Sequence, residues 1–481
     1  MENGTMRIFI AVILLVLTGE SIAAEGPKTQ GEQKVWEEQF DKQNIRHKTK
    51  TMIREESSAL LIIPDAYDGK RNFTLAKTQP VVDFAIIQGL ETEYLPWHLA
   101  KNAGGAWGGW GDVTKGPDGC YYFSISNHMS YGAESYVIKY DPVSKSHEIV
   151  LSAKDLCAWQ PDDFGDGKIH GDIDFGPGGD TWMLTYFGPS PSEKEWDSIY
   201  RGSWLLKYNC FTGKAENLGI PLEGASWPYH NYDSANGLFF GVNHTGHNIL
   251  IYDTKERKMI YGGAPPDNIR WYARCILIDR KNGDIYTSDS NTEDRQIIRY
   301  RRRNNEFTRM NARPPMNPNT GKNGDLRAHS SKKDTDGAYW CFDHHGTVFT
   351  FNPSLDKTEY KGENWGDKGS YTANLAMSPG GRYLYYVPGH LSIMPAGTPV
   401  VQYDTKTGKR KVLAFLFDYF MEKYGYAPVR CYGIELDEKG ESIVFYANGG
   451  FADPDDKNPY AIKMRRPAVF QVHIPASERI E

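Results

Sequence analysis

Cysteine is scarce in this chain: six among 481 residues, at Cys120, Cys157, Cys210, Cys275, Cys341 and Cys431. They are widely spaced and form no CxxC pair, which excludes a compact metal motif; disulfides and buried free thiols both stay open. Long apolar runs are missing too. After the N-terminus no segment approaches the roughly 18 apolar residues that a membrane-spanning helix needs. Charge of one sign is also lacking: 55 Lys and Arg stand against 61 Asp and Glu, for a net charge of −6, which argues against a nucleic-acid partner. The basic run 299–303 is read accordingly as a solvated strand face.

What is present begins with a leader. Arg7, an apolar stretch at 8–17 and the small-residue set Ser21, Ile22 and Ala23 read as a secretory signal peptide over 1–24. No cysteine follows that could carry a lipid anchor. The expected location is secreted or periplasmic, with no membrane span in the mature protein. Residues 25–58 are charged and polar and read as an N-terminal arm, and 59–481 as the folded domain. Gly 48, Tyr 30 and Trp 12 suit an all-β protein with many turns and aromatic strands.

Two markers alternate along 59–481. The first is an Asp/Pro/Asn-Gly turn between short strands, at 116–119, 176–180, 233–237, 279–284, 333–337, 378–382 and 437–440. The second is an aromatic-Asp or aromatic-Asn strand end before a polar turn, at 139–145, 207–214, 251–258, 299–306, 350–357, 402–409 and, more weakly, 470–477. Seven alternations, each worth one four-stranded sheet, predict a seven-bladed β-propeller. A sandwich or stacked β-domains would not repeat both markers in step. Early strands near Leu60 or Val81 are expected to complete the last sheet and close the ring. The segment 421–426 is expected to form a short helix between blades 6 and 7.

In a propeller the starts of the innermost strands and the ends of the second strands meet at one mouth of the central channel. Those places hold His128, His170, Tyr186, Tyr229, His230, His244, Tyr272, Arg274, Asp289, Arg327, His329, Asp343, His344, His345, Tyr371, His390, Arg430 and Tyr432. Eight of the 13 histidines fall there, which a funnel explains better than scatter, with a structural polar belt as the bland alternative. His, Tyr and Arg with few carboxylates suit an anionic ligand. No pair of carboxylates flanks the rim as glycoside hydrolysis ordinarily requires. β-Elimination from a uronate sugar asks for a cation to neutralise the carboxylate, a base for the C5 proton and an acid for the leaving oxygen.

With Tyr186 at a strand end and Arg201 opening the next strand, the chain resembles the seven-bladed-propeller polysaccharide lyases, the ulvan lyases and related rhamnose–glucuronate lyases. The resemblance implies an acidic polysaccharide or oligosaccharide as partner. It implies Tyr186, Arg201, His128, His170 and His244 as catalytic residues, and Arg201 as the group that neutralises the carboxylate. His147 keeps the family's spacing from His128 but falls in an outer turn; His170 is preferred, a departure from the family pattern. Tyr229, His230, Tyr272, Arg274, His390 and Arg430 are the expected substrate-binding set. Some relatives in the wider group are rhamnosidases and others have lost activity, so a propeller hydrolase and a non-catalytic binding propeller stay as alternatives. Cys275, His329, Cys341 and His345 could hold a structural Zn²⁺ or another divalent cation, with unpaired buried cysteines as the competing reading. No organic cofactor is expected. Trp97, Trp107 and Trp110 could stack on sugar rings or serve in packing.

Overall fold

The computed structural model describes residues 52–67, 72–87, 108–127, 134–157, 165–187, 200–243, 247–389, 397–452 and 462–480. Seven blade sheets follow one another along the chain, accompanied by a small three-stranded sheet of Tyr426–Ala427, Gly450–Ala452 and Ile462–Arg465. Their innermost strands are Thr114–Lys115, Lys168–Ile169, Tyr229–Asp233, Leu277–Asp279, Leu326–His329, Ala376–Met377 and Ile434–Leu436, for blades 1 to 7. Blades 1 to 5 each run inner to outer through four consecutive strands, as the repeat predicts. Blade 6 gains an outermost strand, Phe73–Leu75, parallel to Arg410–Phe415.

Both sequence markers have a local cause. In each of the seven hairpins joining first and second strands the turn glycine sits at positive φ, between 70 and 85° at Gly119, Gly179, Gly237, Gly283, Gly337, Gly381 and Gly440, a region closed to most side chains. The Asp or Asn of the second marker folds its carboxylate or amide back onto the turn. Asp141 accepts from Val143 N–H at 2.8 Å, Asp253 from Lys255 N–H at 2.9 Å and Asp404 from Lys406 N–H at 2.9 Å. The aromatic residue before it points the other way, into the blade stack: Tyr140, Tyr208, Phe351 and Tyr403 are all buried.

The ring closes with strands from both ends of the chain. Blade 7 orders Ile434–Leu436, Ser442–Ala447, Ala468–His473, Val81–Ile86 and Ile53–Glu56. The register runs from Val81 opposite His473 to Ile86 opposite Ala468, and Phe84 packs 5.0 Å from Phe470. Asp83, 2% exposed, accepts from His473 Nε2 at 2.6 Å and from the Lys145 ammonium of blade 1, so one carboxylate ties the last blade to the first. Two expectations are corrected here. The segment at Leu60 is a short 3-10 turn, Ser58–Leu61, and not a strand. The blade-forming chain begins inside the expected arm, because Ile53–Glu56 pairs with Val81–Ile86. The helix expected near 421–426 is Phe417–Tyr424, stopped by Gly425 at φ 63°. No described helix is long and apolar enough to cross a membrane.

Candidate functional site

The channel has two unlike mouths. At the hairpin end, Asp112, Asp172, Asp174, Glu435, Asp437 and Glu438 line a cavity of about 400 Å³ with Arg280 and Arg327. Burial first, and then the neighbouring carboxylates, push Asp172 up to about 7 and Glu435 up to about 8. Asp172 is held by the Tyr229 hydroxyl at 2.8 Å and by Asn231 Nδ2 at 2.8 Å.

The opposite mouth, where inner strands begin, is cationic and aromatic. Lys168 opens the inner strand of blade 2 and pairs in register with Tyr186, which closes the second strand. The Lys168 ammonium position lies 4.2 Å from the Trp110 ring and 5.3 Å from the Tyr186 ring. Arg274 is the common electrostatic neighbour of this mouth: its charge reaches Lys168, His170, Tyr186, Tyr272 and Tyr432. Burial, then Lys168, Arg274 and Arg327, hold His170 well below the usual imidazole range, so it is neutral. Burial raises Tyr186 above an ordinary phenol, with Arg274 opposing.

A second group stands on blades 4 to 7. The Tyr272 hydroxyl meets Nδ1 of His344 at 2.9 Å. The His344 and Tyr371 rings are 5.0 Å apart, edge to face, and Tyr432 lies 6.4 Å from Tyr371. Arg327 donates from Nε to the Tyr371 hydroxyl at 2.7 Å and to the carbonyls of Arg274 and Ala373 at 3.0 Å each. Arg430 stands at φ 53° with its Nε buried and without a hydrogen-bond acceptor among the described residues. Among the described residues none of Lys168, Arg274, Arg327 and Arg430 pairs with a carboxylate.

The expected catalytic set is partly gathered here. His170 and Tyr186 share this wall, with ring centroids 6.2 Å apart. Arg201 is exposed, lies 5.6 Å over Trp204 and exerts its charge on Asp166 and Cys157; Tyr186 lies under the charge of Arg274 and against Lys168. His128, His244, His390, Trp97 and Trp107 lie outside the described residues. His147, expected in an outer turn, is on the outermost strand of blade 1, Ser146–Ser152. His230 does not face a ligand. Its ring is wholly buried, accepts from Leu184 N–H at 3.4 Å and packs on Phe239, and burial brings it down to about 3. Tyr229 is committed to Asp172 within the channel. Asp289 is neutralised by Arg309 at 2.7 Å, and Asp343 accepts three backbone N–H groups, from Gly324, His345 and Thr347; both are structural. Lys168 was missed because a lysine opening a short strand carries no pattern of its own, and the Tyr272–His344 contact because it joins two blades.

The expected metal ligands do not converge: among the described residues no three His, Cys, Asp or Glu side chains are placed to hold an ion. His329 sits between the carbonyls of Ser330 and Ile276, at 3.1 and 3.2 Å. Cys341 turns its thiol to Tyr339 O. Burial keeps Cys275 and Cys341 protonated, the wrong state for a metal ligand. All six cysteines are buried free thiols.

No family model matches the chain, and no curated protein matches it. Among solved structures it is similar to that of U3-55K, at 8% identity over 76% of this chain and 96% of that one, with a TM-score of 0.46. It is also similar to the RRP9 WD40 repeats, at 6% identity over 76% and 94%, with a TM-score of 0.47. A chain of the Mitotic Checkpoint Complex matches at 8% identity over 84% and 93%, with a TM-score of 0.46. Similarity at this level says nothing of ligand or activity, and the propeller rests on strand order and register.

Proposed function

We propose that the cationic mouth binds an anionic glycan and that the protein is an exported polysaccharide lyase, cleaving a uronate-containing chain by β-elimination. The observation that carries this reading is the meeting of Arg274, Arg327 and Arg430, without a carboxylate partner among the described residues, beside Tyr186, Tyr272, Tyr371 and Tyr432. Cations gathered without carboxylates of their own suit an anionic ligand, which supplies the counter-charge. Arg274, exposed and central, is the group to meet the uronate carboxylate. Spreading that charge makes the C5 hydrogen acidic enough to leave. The tyrosines, kept protonated by burial, are proton donors for the departing oxygen. The leader over 1–24 fits an enzyme that meets polysaccharide outside the cell.

The test is to incubate the full-length protein with glucuronate- and galacturonate-containing glycans and follow the ultraviolet absorbance of a C4–C5 unsaturated product. Its appearance supports a lyase. Release of saturated sugar would make the protein a hydrolase of the rhamnosidase kind. Binding without any product would make it a non-catalytic glycan-binding propeller.

A further inference from the structure

The most unusual side chain of this mouth is Lys168. It is only 6% exposed, although lysine is almost never buried without a partner, and no hydrogen bond or ion pair to its ammonium exists among the described residues. It lies instead against the faces of Trp110 and Tyr186, with a second cation, Arg274, within electrostatic reach. Stacking on an aromatic face favours the ammonium modestly. Burial and the like charge of Arg274 oppose it and win, holding Lys168 well below the ordinary lysine range.

We propose that Lys168 is the general base of this site and that Tyr186, on the same wall, is its acid. This rests on the reading of the mouth as a uronate-lyase site. The other candidates for the base are less apt. Tyr186 is raised by burial and so holds its proton, and His170, held well below the usual imidazole range by burial and the charges of Lys168, Arg274 and Arg327, is a weak base. His344 is engaged by the Tyr272 hydroxyl. In the step, the Lys168 amine takes the C5 proton and the C5–H electrons become the C4–C5 double bond. The C4–O bond breaks, and the departing oxygen takes the Tyr186 hydroxyl proton. Proton exchange through water then returns ammonium and phenoxide to amine and phenol, so that no oxidant, reductant or other reactant is consumed. The incoming carboxylate also makes the amine more basic as it binds, when a base is needed.

Because Lys168 pairs with Tyr186 in register and lies over its ring, base and acid approach the sugar from one side. That suits a uronate whose C5 hydrogen and C4 oxygen lie on the same face, as in D-glucuronate, and not galacturonate, where they lie on opposite faces.

The experiment uses the full-length protein with a 4-linked glucuronan and with polygalacturonate. Lys168→Met and Lys168→Ala are expected to lose about a hundredfold or more of kcat on glucuronan with KM changed by less than about threefold. Added methylamine should restore part of the Lys168→Ala rate. A purely structural lysine would not allow that rescue. The wild-type kcat/KM should rise with pH along a limb lying below the ordinary lysine range, and that limb should be absent from Lys168→Ala. Unsaturated product formed undiminished by Lys168→Met overturns the base assignment alone. Cleavage of polygalacturonate in preference to glucuronan overturns the one-sided geometry. No product from any uronate glycan overturns the lyase reading, and the assignment with it.

Discussion

The Tyr272 hydroxyl lies 2.9 Å from Nδ1 of His344, across 72 positions of sequence and from one blade to the next. The contact holds both rings at the mouth of the channel, beside Tyr371 and within reach of Arg274 and Arg327. Burial raises the Tyr272 phenol while the two arginines lower it, so the group stays protonated and can donate. Removing the hydroxyl should disturb ligand chemistry and little else. Tyr272→Phe is expected to cut uronate-glycan turnover about tenfold or more, with a melting temperature within about 2 °C of the parent. Steady-state kinetics beside a thermal melt checks both.

The arginines divide by burial. Arg274 is exposed and makes no ion pair among the described residues, whereas Arg327 is 2% exposed and ties three groups from two other segments together. Arg274→Ala should therefore weaken binding of a polyuronate about tenfold at low salt, less at high salt, without loss of stability. Arg327→Ala removes the donor to the carbonyls of Arg274 and Ala373, the second of them buried, and should cost about 2–4 kcal/mol of folding stability. Arg201→Ala should affect binding less than Arg274→Ala, since the charge of Arg201 acts on Asp166 and Cys157. Calorimetric titration with an oligouronate, alongside denaturant melts, separates the three.

The ring was legible because its markers are chemical necessities. A hairpin turn at positive φ wants glycine, as at Gly119 and Gly440, and a strand end that must satisfy its own turn wants Asp or Asn, as at Asp141 and Asp404. The rim was legible as a set of places, since strand starts and ends are local. Which side chains turn into the channel was not. His230 and Tyr229 are neighbours on one strand, where alternation sends one ring between blades and the other into the channel. The pairing of Lys168 with Tyr186, and of Tyr272 with His344, comes from blade-to-blade geometry that spacing does not encode. The acidic hairpin-end mouth went unread for the same reason: Asp112, Asp172 and Glu435 come from three different blades.

Closure of the ring yields a test of the N-terminal strands. Phe84 is wholly buried against Phe470 and Phe420, so Phe84→Ala should cost about 3–5 kcal/mol. Asp83 adds a pH signature. Burial alone would raise it, but His473 and Lys145 outweigh burial and hold it below the usual carboxylate range. A lowered folded value contributes stability above the unfolded carboxylate range, near pH 4, that is lost as pH falls through the folded value. Asp83→Asn should therefore destabilise by about 2 kcal/mol at neutral pH, with the difference shrinking toward zero below about pH 3. Denaturant melts over that range measure the convergence.

The acidic mouth has the opposite sign. Burial, followed by Asp174, Glu438 and Asp172, brings Glu435 up to about 8, against a smaller opposing pull from Lys115. A carboxyl raised in the folded state binds its proton more tightly than in the unfolded chain. Its contribution is whole below the unfolded value near pH 4 and is lost as pH climbs through the folded value. Glutamine keeps the shape of the protonated acid and cannot ionise. Glu435→Gln should leave the melting temperature unchanged near pH 4, raise it progressively above that, and reach its full gain of a few degrees by about pH 8. Asp172, brought up to about 7 by the same causes, should steepen the parent's loss over the same window. A pH series of thermal melts on parent and variant decides it, and a gain that is flat with pH would mean that Glu435 is already ionised in the folded channel.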